Sequence, residues 1–369
     1  MMTMRERLLA PFHGVRPDRP AWVADLSYWY SAAESTNVIR EEYRGHDGYK
    51  RLHADLGVCY YYDYTSHPFD MVFDGVDVVE QEAGAERRRQ WRAPAGTLSE
   101  HWSYLKTAEC WAHDEYAVKC ESDLPILLDI CRRVRYEPAF PEYTTLMEWV
   151  GEAGVPLAPV PRSPLPALLT DWCGVEQTVF FLADMPDTMR TIMDSIDSAN
   201  DSAFGLAAAA PAELFHFCDN LDSSASTPYF RDYMKEYYVK RLRQIHDCGK
   251  YAVVHLDGRV RGLLPGLASC GFDGIESITP APVGDVSVEE LRTIAANPRT
   301  ILWGGIPGAM FSHPWTDTQI RDHTMKLLGC LGGDGRLVVG SADQIPPNGH
   351  MEYCTSIAET VQEWARASW

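Results

Sequence analysis

The stretch Tyr251-Ala252-Val253-Val254-His255-Leu256-Asp257-Gly258 decides the fold. An apolar run leads into a histidine and an aspartate two positions apart, and a helical pattern begins near Val260. Read as a strand, the run delivers His255 and Asp257 at its C-terminal end on one side, because strand side chains alternate. An imidazole and a carboxylate so placed can bind a metal or move a proton. The pair alone is equally compatible with a buried histidine beside a turn-forming Asp-Gly.

Outward from this stretch the C-terminal half alternates. Strand-like runs occupy Leu214–Asp219, Tyr251–Asp257, Gly274–Thr279, Ile301–Ile306 and Arg336–Ser341. Between and after them lie helical patterns at Pro228–His246, Val260–Ser269, Val288–Ala296, Asp317–Leu331 and Met351–Ala365. The runs are apolar on both faces and the helices amphipathic, as in a parallel sheet covered by helices. Helix stops agree: Gly249, Gly271, Asn297-Pro298 and Gly332-Gly333. Upstream, Ala21–Tyr30 reads as the first strand and Pro156–Val160 as another, followed by helices near Pro164–Trp172 and Pro186–Phe204. No Gly-x-Gly-x-x-Gly follows a strand, so a dinucleotide fold has no support.

The alternation predicts one (β/α)8 TIM barrel over residues 1–369, preceded by an N-terminal helix. Its 31–150 part is insertion-rich. Val76–Glu82 and Glu86–Ala93 alternate polar and apolar residues around Ala83-Gly84-Ala85, which predicts an inserted β-hairpin at the barrel mouth.

With 52 acidic and 33 basic residues the net charge is −19, which disfavours nucleic acid and anionic membranes as partners. The basic run Arg87-Arg88-Arg89 reads as a solvated strand or turn. Ten scattered cysteines without a CxxC fit reduced thiols and a cytoplasmic location. No signal-peptide pattern opens the chain and no apolar run reaches membrane-spanning length. A homodimer stays open.

In such barrels chemistry sits at the C-terminal strand ends. Those ends carry Asp25 with Tyr28-Trp29-Tyr30, then His216, Asp219, Asn220 and Asp222, then His255 and Asp257, Glu276, Gly304-Gly305 and Asp343. Each has a structural alternative: Asp219 and Asp222 as helix caps, Glu276 paired with an arginine, Asp343 at a turn, the aromatics as packing. Together, acidic and imidazole groups from five strands exceed what a packed core needs.

The chain resembles the uroporphyrinogen decarboxylase superfamily over nearly its whole length. The resemblance rests on Met4-Arg5-Glu6-Arg7-Leu8-Leu9-Ala10, Gly14 and Asp18-Arg19-Pro20 at the start. It continues through His255-x-Asp257-Gly258, Gly271-Phe272-Asp273, Gly304-Gly305 and Ile345-Pro346-Pro347. The superfamily implies a barrel and contains both porphyrinogen decarboxylases and zinc-dependent methyltransferases that work with corrinoid proteins. The decarboxylase branch places arginines just after the first strand, where this chain has Asp25-Leu26-Ser27-Tyr28-Trp29-Tyr30. The methyltransferase branch is closer. Its thiol-methylating members hold zinc on His-x-Cys and a later Cys; here those positions read His255-x-Asp257 and Asp343.

The resemblance therefore implies His255, Asp257 and Asp343 as ligands of a zinc site made harder by oxygen donors. Such a site pulls on a leaving oxygen, which suits demethylation of a small methoxylated or methylamine-type donor, with the methyl group passing to a corrinoid carried by a partner protein. Asp219 and Glu276 are the candidates for the acid or a further ligand. Asp25, Tyr28, Trp29, His216 and Asn220 would line the substrate pocket. Two other classes remain: a metal-free decarboxylase or lyase moving protons with Asp25, His255 and Asp257, and a non-catalytic binding barrel.

Overall fold

The computed structural model describes every residue except Tyr64, Ala108 and Trp369. Its main sheet is parallel and seven-stranded: β1 (Trp22–Asp25), β2 (Ala158–Pro159), β3 (Leu214–Leu221), β4 (Tyr251–Leu256), β5 (Gly274–Ile278), β6 (Ile301–Pro307) and β7 (Leu337–Gln344). Their order is β1-β7-β6-β5-β4-β3-β2, so chain neighbours are mostly sheet neighbours and the first strand lies beside the last. Both faces of the strands are buried, with Val253, Val254, Ile275 and Val339 fully inaccessible. Each such side chain contributes on the order of 1.5–3 kcal/mol by leaving water.

The expected closed ring of eight strands is observed as this seven-stranded curled sheet. Its two edges are nonetheless bridged through residues 59–61. The Cys59 N–H donates to the Trp22 carbonyl at 2.8 Å, the Val155 N–H to Tyr60 at 2.9 Å and the Leu157 N–H to Tyr61 at 3.0 Å. The bridges Val23–Cys59 and Tyr60–Gly154 are parallel. The segment is short and makes single bridges on each side, too few contacts for a regular strand. Inside the sheet, Val23, Cys59, Tyr61, Val155, Leu157, Leu214, Val253, Ile301, Trp303 and Val338 form one buried cluster. Leu8, Leu9 and Phe12 close that cluster from below, Leu8 and Leu9 lying on the N-terminal helix Met4–Leu9. That helix starts with a capping box between Thr3 and Glu6.

Two glycines allow the close strand packing. At Gly304, φ is +128° and a Cβ would lie 2.6 Å from the Ile278 nitrogen; at Gly340 a Cβ would meet the Gly304 Cα at 3.2 Å.

Several boundaries differ from the sequence reading. The first strand ends at Asp25, and Tyr28-Trp29-Tyr30 lie on a helix, Ser27–Ser35. The Asp25 carboxylate turns the chain by accepting the Ser27 N–H at 2.8 Å. The helix expected from Pro228 starts earlier, at Ser223, where Asp222 caps it through the Ser224 N–H. It carries Pro228 in its interior and is interrupted by a wide turn at Phe230–Met234, closed by the Lys235 N–H on the Phe230 carbonyl. The expected hairpin is present as Asp77–Ala83 and Glu86–Ala93, within a four-stranded antiparallel sheet completed by Gly96–Leu105 and Cys110–Glu115. Arg87 and Arg89 pair across it with Glu82 and Glu80. No helix among the described residues is long and apolar enough to cross a membrane.

Candidate active site

Strand register builds the centre of the site. His255 on β4 stands opposite Glu276 on β5, and His216 on β3 stands opposite Val253, two residues earlier. The three side chains converge on one carboxylate oxygen. Glu276 Oε2 lies 2.7 Å from His255 Nδ1 and 3.4 Å from His216 Nε2. The Tyr61 hydroxyl reaches Oε1 of the same carboxylate at 3.5 Å.

The charges follow from this arrangement. Burial alone would raise the Glu276 carboxyl, but the two imidazoles hold it down at about 2. Burial works against a charged His255, yet Glu276 outweighs it and pushes the imidazole up to about 9. For His216 burial again opposes protonation, and Cys218 together with Glu276 pushes it up to about 10. The Cys218 Sγ is 3.2 Å from His216 Nδ1. The donor atoms of His216, His255 and Glu276 all lie within 4.8 Å of one another, so this buried group can hold a metal ion.

Above the group opens a cavity of about 330 Å³, lined by Asp25, Ser27, Tyr28, Tyr62, Arg162, His216, Cys218, Asn220, His255, Asp257, Asp343 and Gln344. Asp257 Oδ1 is 4.0 Å from His255 Nε2. Burial raises the Asp257 carboxyl, with the charges of Asp222 and Glu276 adding to it. Asp343 is pushed up to about 6, first by burial and then by Asp257, Asp25 and Glu276; Asp25 also stands at about 6, mainly through burial. Asp343 has a left-handed backbone, φ +65°, and its N–H donates to the Ser277 hydroxyl at 2.5 Å. Ser277 is itself at φ +66°. Asn220 reaches the cavity through a third such residue, φ +49°. Strained backbone of this kind concentrates at functional sites.

The fold can be set beside known structures at this point. It resembles a methyltransferase from Methanosarcina mazei, with a TM-score of 0.62 at 15% identity, over 98% of this chain and 99% of that one. A GH18 chitinase, ChiB from Flavobacterium johnsoniae, aligns over 62% of this chain and 82% of that one at 11% identity, with a TM-score of only 0.34. The muconate lactonizing enzyme of Pseudomonas putida aligns over 80% and 78% at 11% identity, with a TM-score of 0.27. No protein-family profile and no curated protein sequence matches the chain.

The structure gathers most of the residues singled out from sequence. Asp25, Tyr28, His216, Asn220, His255, Asp257 and Asp343 share the cavity, and Glu276 lies directly behind its two histidines. Two do not line it. Trp29 is half-buried against the core on the helix after β1. Asp219 is buried elsewhere, accepting from the Ser163 N–H at 2.9 Å, the Ser163 hydroxyl at 2.6 Å and the Tyr238 hydroxyl at 2.8 Å. Along β3, His216, Cys218 and Asn220 share one side, which sends Asp219 to the other. The same parity, applied to the sequence, would have found Cys218. Tyr62 was missed because the β-prone run Val58-Cys59-Tyr60-Tyr61-Tyr62 falls within the part read as an insertion, residues 31–150. Arg162 was hidden because it lies between prolines just after β2.

Proposed function

We propose that this protein is a methyltransferase that removes a methyl group from a small methoxylated or methylamine-type compound and delivers it to a corrinoid on a partner protein. The observation that carries this reading is the crowding of Asp25, Asp257 and Asp343 beside His255 in one cavity, all three carboxyls pushed up from their ordinary values. Burial, with charge repulsion second, raises them; a divalent cation offsets both, and one imidazole with carboxylates is a donor set that zinc accepts. His255, Asp257 and Asp343 would hold it. When bound, the ion supplies a Lewis acid to the leaving oxygen or nitrogen, and the partner's corrinoid supplies the acceptor. Residues 59–61 we read as the remaining strand of a (β/α)8 barrel.

The protein's own groups have separate tasks. Glu276 bonds His255 Nδ1, which fixes the ring and turns Nε2 toward Asp257 and the cavity. Tyr28 and Tyr62 give the cavity apolar area. Asp25, pushed up to about 6 mainly by burial, is roughly one-tenth protonated at neutral pH and can pass that proton to the departing group. Asp219 we assign as a positioning residue that ties β3 to the turn at Ser163. The antiparallel sheet of residues 77–115 would contribute to the docking face for the corrinoid protein.

Two specific observations favour other readings of the same site. The close approach of His216, His255 and Glu276 favours a deeper ion, and the raised carboxyl of Asp25 favours metal-free proton transfer. Metal content of the purified protein and of His255→Ala, measured alongside methylation of a reduced corrinoid protein, separates them. Stoichiometric metal lost in the variant together with activity supports the proposal. Equal activity without metal supports proton transfer.

A further inference from the structure

The wall of the cavity at the end of β2 carries Arg162, the one lysine or arginine among its lining residues. The guanidinium is clamped. Its Nε donates to Asp171 Oδ2 at 3.0 Å and its Nη1 to the Cys218 carbonyl, while the side-chain amide of Asn200 donates to its own carbonyl at 3.1 Å. A guanidinium has five N–H donors in a rigid fork. Among the described residues Nη2 enters no hydrogen bond, and the side chain keeps 25% of its surface exposed.

Three carboxyls line the other walls. Asp343 arrives from β7, Asp25 from β1 and Asp257 from the end of β4, whereas Arg162 follows β2, next to β3. The guanidinium pairs with Asp171 through Nε, and its Nη2 hydrogens are the cationic donors left for an anion entering the cavity. A monoanion bound there leaves the rest of the molecule to extend toward His255, Asp257 and Asp343. A volume of about 330 Å³ lies at the small end of the range for ligand pockets.

We propose that Arg162 anchors a carboxylate on the methyl donor, so that the substrates are small methylated compounds carrying one carboxylate. The inference rests on the methyl-transfer reading for what happens at the other end of the molecule. The anchoring itself is a binding property and is measured without turnover.

The test is calorimetric titration of the purified protein with 3-methoxybenzoate and with 3-methoxybenzyl alcohol, which lacks the charge. The wild type should bind the benzoate at least about ten-fold more tightly, as a charge-assisted hydrogen bond provides. Arg162→Gln should bind the two alike, and Arg162→Lys should retain part of the preference. Equal affinities in the wild type overturn the anchor regardless of how the variants fold. So does a preference that survives in folded Arg162→Gln, or failure of both compounds to bind. The same compounds offered with a reduced corrinoid protein distinguish the two proposals. Methylation from the alcohol as fast as from the benzoate overturns the anchor and leaves methyl transfer standing. A benzoate preference that depends on Arg162, without methylation from either compound, supports the anchor and overturns methyl transfer.

Discussion

His255 Nδ1 and Glu276 Oε2 are 2.7 Å apart across adjacent parallel strands, in register. One imidazole nitrogen is thereby committed to a buried carboxylate, and the other is left toward Asp257 and the cavity. Replacing Glu276 by Gln removes the charge that orients and protonates the ring. Measured above pH 9, where no proton competes for His255, metal affinity should fall about 10–100-fold, as when an outer partner of a ligating histidine is lost. Direct titration with zinc checks this, and unchanged affinity would remove Glu276 from the site.

The proposed ligand set and the deeper group respond differently to substitution. Asp257→Ala and Asp343→Ala should each abolish stoichiometric metal, while His216→Ala should keep it. Metal analysis of the three variants after dialysis decides. Loss in His216→Ala with retention in Asp343→Ala would move the ion to the buried His216–His255–Glu276 group.

Proton competition gives a pH signature. Metal binds the neutral imidazole, and Glu276 raises His255 to about 9, so binding at pH 7 must expel a proton. Affinity should therefore rise with pH toward about 9, roughly ten-fold per unit for each proton displaced. Calorimetry in buffers of different ionisation enthalpy reads the proton count, and a count of zero at pH 7 would contradict this.

Much of the fold was legible in the sequence because buried parallel strands write themselves as apolar runs. The strand with His255 and Asp257 lies within one residue of its expected end, and the helix Asp317–Leu331 has its expected bounds. The bridging segment at residues 59–61 was missed although Val58-Cys59-Tyr60-Tyr61-Tyr62 is a β-prone run, because it is short and falls in the part read as an insertion. At the site, residue type located His216, His255, Asp257, Glu276 and Asp343. It could not distinguish the side of β3 that holds Asp219, which only alternation from His216 reveals. Nor could it show that Glu276 faces histidines and not an arginine, because that contact is set by strand register.

Asp219 offers a direct test of its positioning role. Its carboxylate satisfies three buried donors, so Asp219→Ala should cost roughly 2–5 kcal/mol of stability, the range for breaking a buried network. Urea unfolding measures it. At temperatures where the variant stays folded, metal content and kcat should be close to wild type; a lost kcat in stable, folded protein would return Asp219 to the catalytic set.

His53 governs part of the acid stability. It is buried against Tyr49 and Tyr60, its Nδ1 2.9 Å from the Tyr49 carbonyl, and burial lowers it to about 4. Unfolded chains take up this proton near 6.5, the native protein only near 4. The contribution is thus full above 6.5 and lost as pH falls toward 4, by roughly 3 kcal/mol in total. A His53→Leu variant should show a correspondingly shallower loss of unfolding free energy between pH 6.5 and 4, and an identical slope would exclude the effect.

The central claim is metal-assisted demethylation at His255. It is tested most directly by following, optically, the methylation of a reduced corrinoid protein by methoxylated aromatic compounds, with zinc-loaded wild type and with metal-stripped His255→Ala. The account predicts methylation with the wild type and none with the variant. Full-rate methylation by the metal-stripped His255→Ala protein would contradict it.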